Sequence, residues 1–130
     1  MEKKFIVPLK DAVTGVLYGR AGTFRILIDE EISGAKNFSL LINTMKAGVK
    51  GKEHKHDVEH CWYILSGRGT IYIDGKAAEI EPKMAVYVPA NVFHKIDVGP
   101  DEDLTYVLIY APPGPEQQLK QSNEHAFDSN

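Results

Sequence analysis

The sequence of 130 residues has little cysteine and no long apolar run, and each absence excludes a class of protein. Cys61 is the only cysteine, so no disulfide can form within the chain. No run approaches the roughly 18 to 20 apolar residues that cross a bilayer. The opening MEKKFIVPLK has no apolar stretch long enough for a signal peptide. We therefore expect a cytoplasmic protein with no membrane partner.

Positive charge is not in excess either. Lysine and arginine number 15 against 18 aspartate and glutamate residues, which gives a net charge of -3. A general nucleic-acid binder needs a basic patch to neutralise phosphates, so we expect no nucleic-acid partner. Apolar residues make up 43% of the chain and charged residues 25%, which is typical of an ordinary globular domain. A chain of this length is sufficient for one such domain.

Helical periodicity is scarce, and short β-type runs broken by Gly, Pro, Asn and Asp dominate instead. Asp74-Gly75 between two such runs is a strong hairpin signal. Strands spaced by about 8 to 12 residues favour an all-β sandwich or barrel. The predicted strands are residues 23–29, 38–45, 60–65, 70–73, 77–80, 84–88, 93–98 and 104–111.

This pattern divides the chain into three predicted parts. Residues 1–22 are predicted to form an N-terminal strand or arm, and residues 23–114 the β-barrel. Residues 115–130 are predicted to form a short helix and a polar tail. A proline can occupy the first turn of a helix, so Pro115 is expected to open that helix, which is predicted to reach residue 121.

Four of the five histidines form a pattern that indicates a metal site. His54, His56 and His60 lie within seven residues, and His94 follows in a later predicted strand. Residues i and i+2 of a strand face the same side, so His54 and His56 point together if the chain is extended. His60 keeps that parity, whereas Glu59 has the opposite one. Because imidazoles that converge on one point bind transition metals, we predict that these four hold one divalent ion.

An interpretation of the same segment without metal binding is also open. Lysines at positions 50, 52 and 55 and Asp57 surround the first two histidines. A segment with so many charges could be a solvated loop, with its histidines acting as ordinary polar residues. His125, in the polar tail, is not predicted to be a ligand.

Two segments around these histidines resemble the two sequence motifs of the cupin superfamily. Residues 48–67 (GVKGKEHKHDVEHCWYILSG) resemble the first motif, with its two histidines one residue apart and its flanking glycines. Residues 82–94 (PKMAVYVPANVFH) resemble the second. Two positions depart from the pattern: His60 stands where a ligand glutamate is usual, and Asn91 where a glycine is usual. Asparagine also tolerates a left-handed turn, so the second departure is mild.

The resemblance implies a fold, an assembly and a range of reactions. It implies a cupin-type jelly-roll β-barrel (a double-stranded β-helix) and a homodimer. The spacing HxH-x3-H with a later histidine resembles small monodomain cupins with an all-histidine site, some of them manganese proteins with dioxygenase-like activity. Cupins also include isomerases, cyclases, lyases and sensor domains, so the family does not fix the reaction.

Four neutral imidazoles would leave a divalent ion with its full charge, and therefore a strong Lewis acid. We expect a metal-dependent enzyme acting on a small oxygen-rich substrate: an enol, diketone, hydroxy acid or phenol. Dioxygenase or other oxidative chemistry with dioxygen is favoured. A non-redox isomerase, cyclase or lyase, and a binding or sensing module, are the alternatives. Imidazole accepts manganese, iron, nickel, copper and zinc, so the sequence leaves the metal open.

Four further residues are pocket candidates. Trp62 shares the parity of His60 and could form a wall of the pocket, and Tyr106 could present its hydroxyl there. Arg25 and Asn43 are polar residues in otherwise apolar strands, and each could orient a substrate. Core packing explains an inward Trp62 about as well and is the favoured interpretation of Tyr106. A solvated strand face is the favoured interpretation of Arg25 and Asn43. By the same parity, Cys61 is expected to face outward.

Overall fold

The computed structural model describes residues 2–122, so the predicted polar tail beyond residue 122 and His125 lie outside the described residues. Two short α-helices, α1 (Glu30–Ser33) and α2 (Pro115–Ser122), accompany the strands, with 3-10 turns at Leu9–Asp11 and Tyr18–Arg20. The described strands are β1 (Val13–Val16), β2 (Gly22–Ile28), β3 (Ser39–Met45), β4 (Glu59–Ser66), β5 (Gly69–Ile73), β6 (Lys76–Ile80), β7 (Ala85–Val88), β8 (His94–Val98) and β9 (Leu104–Ala111).

The strands form two antiparallel sheets that enclose one core. The larger sheet has the order β1-β2-β3-β9-β4-β7, and the smaller sheet has the order β6-β5-β8. Residues 48–54 run beside β8 and extend the smaller sheet, with Gly51 N donating to Ile96 O at 2.8 Å. This is the predicted jelly-roll arrangement, and the eight predicted strands match β2 to β9 within one residue at each end.

Alternation along the strands decides which side chains enter the barrel. In β4, His60, Trp62 and Ile64 are buried, while Glu59 and Tyr63 are exposed and Cys61 is half-buried. The predicted parity of this strand is therefore confirmed. The inward-facing residues of the two neighbouring strands are Ser39, Leu41, Asn43 and Met45 of β3, and Leu104, Tyr106, Leu108 and Tyr110 of β9.

The sequence analysis did not predict helix α1. Asp29 caps it, because its carboxylate accepts a hydrogen bond from Ile32 N at 2.7 Å, and Gly34 ends it with φ of 80°. Aspartate at the N-cap and glycine after the last turn are ordinary helix boundaries. The helix has only four residues, too few to show a periodic pattern. The edge strand β1 falls within the segment predicted as a strand or arm.

Helix α2 is present as predicted and is fixed by buried polar contacts. The buried carboxylate of Glu116 accepts hydrogen bonds from Ser39 Oγ at 2.7 Å and from Gly114 N at 2.9 Å. Lys120 Nζ lies 2.6 Å from a carboxylate oxygen of Asp29, which is fully buried. These contacts hold the preceding proline-rich segment in place at one end of the barrel.

Candidate metal centre

His54 and His94 are brought together by the backbone. His54 N donates to His94 O at 3.0 Å, and His94 N donates to His54 O at 2.8 Å. This single antiparallel bridge joins the end of segment 48–54 to the first residue of β8. Directly paired residues of antiparallel strands project to the same face. The two buried imidazoles accordingly lie with ring centroids 4.4 Å apart.

His56 and His60 complete a cluster of four imidazoles. The carbonyl of His56 accepts a hydrogen bond from Asn91 N at 2.7 Å, so the loop after β7 holds this residue. His60 is the second residue of β4 and pairs with Tyr110 of β9. The centroid of the His60 ring lies 4.7 Å from that of His94 and 5.2 Å from that of His56.

Three of the four histidines bring possible ligand atoms close together. One ring nitrogen each of His54, His56 and His94 lies within 4.8 Å of the others. Two imidazole nitrogens that share one ion at about 2.1 Å are at most about 4.2 Å apart, so small side-chain rotations would suffice. His60 is outside this group of nitrogen atoms, although its ring lies beside the other three.

The hydrogen bonds of two imidazoles fix which ring nitrogen carries the lone pair that a metal ion needs. His54 Nδ1 lies 2.8 Å from Lys52 O, and His94 Nδ1 lies 3.0 Å from Val92 O. A carbonyl can only accept, so each Nδ1 carries the proton and each Nε2 carries a lone pair. His94 Nε2 and both ring nitrogens of His60 are buried without a hydrogen-bond partner among the described residues. Such atoms are rare unless something binds them, so the residues present fit a metal ion.

Burial keeps these imidazoles neutral. Loss of solvent lowers the pKa of His56 to about 3, of His60 to about 2 and of His94 to about 4. Repulsion from neighbouring histidines contributes to each of these shifts. The pKa of His54 is lowered as well, mainly by burial and against the hydrogen bond to Lys52. Only the neutral ring has a free lone pair, so the site is in its ligand form at pH 7.

Tyr110 is part of the site although the sequence analysis did not single it out. Its buried ring stacks on that of His60, with centroids 5.4 Å apart and planes at 12°. It also meets the ring of His56 edge-on at 5.6 Å. Alternation along β9 could have placed Tyr110 on the face of Tyr106. Its position opposite His60 depends on strand order, which local pattern does not reveal.

Trp62, Tyr106 and Asn43 all face the barrel interior. The Trp62 ring centroid lies 6.2 Å from that of His60 and stacks on Tyr106 at 4.5 Å. Asn43 pairs with Tyr106 across β3 and β9. Trp62 Nε1, the Tyr106 hydroxyl and Asn43 Oδ1 are buried without hydrogen-bond partners among the described residues.

Arg25, one of the pocket candidates, lies instead on the strand face that points away from the barrel interior, as the favoured interpretation of a solvated face expects. Arg25 lies between Phe24 and Ile26, which enter the core, so its side chain leaves the opposite face of β2. There its guanidinium donates to Thr44 Oγ1 at 2.7 Å. Thr44 likewise alternates with the inward-facing Asn43 of β3. The sheet itself therefore lies between the Arg25 side chain and the histidines.

His56 connects the centre to solvent. It is half-buried, whereas the other three histidines are buried. It borders an open cavity of about 590 Å³ between the segment that carries it and the proline-rich segment before α2. The cavity is lined by Lys55, His56, Asp57, Val58, Pro112, Pro113, Gly114, Pro115 and Gln118. A small molecule can therefore approach the imidazoles from this side.

Comparison with known proteins places the site within a recognised kind of domain. A family model described as "Cupin domain" matches residues 41–110, which is 70 of the 130 residues and includes all four histidines. The chain is 27% identical over 108 residues to auxin-binding protein T92 of Nicotiana tabacum, covering 74% of this chain and 58% of that one. It is 30% identical over 95 residues to the dimethylsulfoniopropionate lyase DddW of Ruegeria pomeroyi, covering 73% and 61%. It thus spans less than two thirds of the length of either relative.

Solved structures share the fold. The polyketide cyclase RemF of Streptomyces resistomycificus superposes with a TM-score of 0.72 at 24% identity, covering 87% of this chain and 81% of that one. Identity at this level shows the fold alone. Among residues 2–122, none of the helices is long and apolar enough to cross a membrane.

Proposed function

The chain belongs to the family of cupin domains, and on that premise we propose that it is a metal-dependent enzyme acting on a small oxygen-rich substrate. In this proposal His54, His56, His60 and His94 hold one divalent transition-metal ion. One observation carries it: four neutral imidazoles, three buried and one half-buried, converge from two distant segments, and three nitrogens of His60 and His94 lack a hydrogen-bond partner among the described residues. An enol, diketone, hydroxy acid or phenol is the expected substrate class.

Hydrogen bonds and aromatic packing within the protein orient the histidines in the absence of substrate. The carbonyls of Lys52 and Val92 fix the tautomers of His54 and His94, so their Nε2 atoms can coordinate without a proton being lost. The aromatic rings of Trp62 and Tyr110 cover the interior side of His60 and limit access of water there. Low local solvation strengthens every electrostatic interaction within the site.

A bound ion would supply Lewis acidity for developing negative charge on substrate oxygens and, if redox-active, a route for electrons to dioxygen. None of the four imidazoles carries charge, so they do not offset the charge of the ion. An anionic oxygen group is therefore the ligand best matched to the centre. We place dioxygenase or other oxidative chemistry first because the four-histidine spacing resembles that of small cupins with dioxygenase-like activity.

Non-redox chemistry is the second candidate, and the names of two similar proteins support it. One relative is named as a lyase and one similar structure as a cyclase. A third candidate is a binding module without turnover, because another relative is named as an auxin-binding protein. These names describe the similar proteins, and for this chain each of the three activities is a proposal.

Metal identity separates these candidates. Elemental analysis of freshly purified protein, with its electron paramagnetic resonance spectrum, is expected to show about one equivalent of manganese, iron or copper for oxidative chemistry. Stoichiometric zinc moves the assignment to a lyase, cyclase or isomerase. Tight binding of an enolic or aromatic compound with no turnover under either condition would assign a binding module. Absence of any stoichiometric metal, together with failure to take one up, would refute the metal centre.

We further propose that two copies associate through the outer face of the larger sheet, in the cytoplasm. Tyr63, Leu65 and Tyr87 are 44%, 45% and 57% exposed on the outer side of β4 and β7. Phe5 and Ile6 are each 87% exposed in the N-terminal segment. Apolar side chains grouped on one sheet face are typical of an interface, and a second copy is the partner that every molecule has available.

A further inference from the structure

Among the described residues, three polar atoms inside the barrel lack a hydrogen bond of ordinary geometry. They are Trp62 Nε1, the Tyr106 hydroxyl and Asn43 Oδ1, on side chains that are 3%, 0% and 1% exposed. A buried polar atom without a hydrogen bond destabilises the folded protein. The histidine centre does not explain them, because all three belong to residues deeper in the barrel.

The three groups are neighbours. The rings of Trp62 and Tyr106 are stacked with centroids 4.5 Å apart. Asn43 lies opposite Tyr106 in the β3–β9 ladder. Burial raises the pKa of the Tyr106 hydroxyl, and Asn43 is close enough to oppose that shift. Trp62 follows His60 by two residues on the same face of β4, which is about 7 Å along a strand.

Their hydrogen-bonding capacities define what they can bind. The indole N–H only donates, the amide oxygen only accepts, and the phenol does both. A hydroxyl group matches this set, because it accepts from the indole and donates to the amide oxygen. A carboxylate does not, because it cannot donate to Asn43 Oδ1. It would also lack a counter-charge, since the buried side chains of the described residues include no lysine or arginine.

We propose that Trp62, Tyr106 and Asn43 form a subsite for a neutral hydroxyl group of the substrate, about 7 Å inside the histidine centre along β4. This inference rests on the proposed metal centre and narrows its substrate class. The substrate has oxygens that bind at the histidines and a hydroxyl at its far end, as a ring that carries a phenol opposite a chelating group would have.

Two probes with the same chelating group test the subsite in the metal-loaded protein. Benzohydroxamate and 4-hydroxybenzohydroxamate differ only by a hydroxyl on the far side of the ring. Calorimetry is expected to show that the hydroxylated probe binds at least about fivefold more tightly, as one good neutral hydrogen bond gives. Equal affinities for the wild-type protein would overturn the subsite.

Conservative variants test whether these side chains cause the preference for the hydroxylated probe. Tyr106→Phe and Trp62→Phe keep an aromatic ring and remove the polar group, so the preference for the hydroxylated probe is expected to fall to less than about twofold. Metal content and the affinity for benzohydroxamate, which lacks the hydroxyl, are measured in each variant as the reference for this preference. Tyr63→Phe, on the exposed outer face of β4, is the matched control and is expected to keep the preference. A preference that survives both interior substitutions would overturn the subsite.

A stability measurement separates a binding role from a structural one. Because the Tyr106 hydroxyl lacks a hydrogen bond of ordinary geometry among the described residues, Tyr106→Phe is expected to leave the melting temperature of the metal-free protein unchanged or raised. A fall of several degrees would show a structural hydrogen bond and overturn the proposal. If neither hydroxamate binds and no metal is retained, the metal centre fails and the subsite with it. If benzohydroxamate binds without a hydroxyl preference, the subsite alone fails.

Discussion

His54 and His94 exchange both of their backbone hydrogen bonds, and their ring centroids lie 4.4 Å apart. Two candidate ligands are thus set by main-chain pairing rather than by contacts between their side chains. The pairing continues along the chain, where Lys50 bridges Asp97 and Gly51 lies against Ile96. The geometry of the centre therefore depends on how closely segment 48–54 approaches β8.

Gly51→Ala is expected to weaken metal binding without touching a ligand. An added Cβ would lie within van der Waals overlap of Ile96, at 2.4 Å from its carbonyl oxygen, and the segment would have to move away from β8. His54 would move with it. A competition titration with a chromophoric chelator should show weaker metal affinity. Lys50→Ala keeps its backbone bridge and is the control; an equal loss in both variants would contradict this explanation.

Removal of a ligand imidazole tests the centre directly. Loss of an outer-shell partner typically weakens metal affinity about 10- to 100-fold, so His54→Ala and His94→Ala are expected to lose at least that much. His125→Ala removes the same chemical group from the tail and is expected to have no effect. His60→Ala is expected to weaken binding too. Unchanged affinity in His60→Ala would leave a site of three histidines, and a loss in His125→Ala would contradict the assignment.

The strands could be predicted because their signals are local. Asp74 and Gly75 both have positive φ angles, 54° and 78°, as a two-residue hairpin turn requires. Alternation in β4 likewise placed His60 and Trp62 inside. The same signal was available for Arg25, since Phe24 and Ile26 on either side of it are apolar. A solvated strand face was accordingly the favoured expectation for Arg25.

The partners of the histidines could not be read from local pattern. Tyr110 reaches His60 because β9 lies between β3 and β4, although about forty residues separate β4 from Tyr110 in the chain. Strand order depends on how the whole chain folds back on itself. The same holds for Ser39 and Glu116, whose hydrogen bond joins positions 77 residues apart.

The metal-free protein is expected to lose stability as the pH falls from about 7 to 4. Unfolded histidines have pKa values near 6.5, whereas His56 and His94 have folded values of about 3 and 4. Below pH 6.5 the unfolded chain therefore binds more protons, and the free energy of unfolding decreases by up to about 1.4 kcal/mol per pH unit for each such histidine. Urea unfolding at pH 7.5, 6 and 5 measures this slope, which should be shallower in His56→Gln.

Protons should also displace the ion, because only neutral imidazoles coordinate it. Dialysis at pH 4.5 is expected to remove the metal that is retained at pH 7.5. Full retention at pH 4.5 would argue against ligation by histidine alone.

Association through the outer face of the larger sheet predicts a dimer that one added charge disrupts. Leu65→Lys is expected to shift the mass measured by light scattering from two copies towards one, because a buried unpaired ammonium is costly. Ala77→Lys adds the same charge to the exposed surface of β6 in the other sheet and should leave the mass unchanged. A wild-type protein that is monomeric at high micromolar concentration would refute this interface.

Asn91 is expected to act through its backbone and not through its side chain. It has φ of 64°, and its N–H donates to His56 O at 2.7 Å. A left-handed conformation costs an ordinary residue about 1 to 2 kcal/mol, and asparagine and glycine less. Asn91→Ala should therefore lower the free energy of unfolding by about 1 kcal/mol, whereas Asn91→Gly should be close to wild type. Both variants keep the N–H that holds His56, so both should bind metal with nearly wild-type affinity. Equal destabilisation by glycine and alanine would instead assign a role to the side-chain amide.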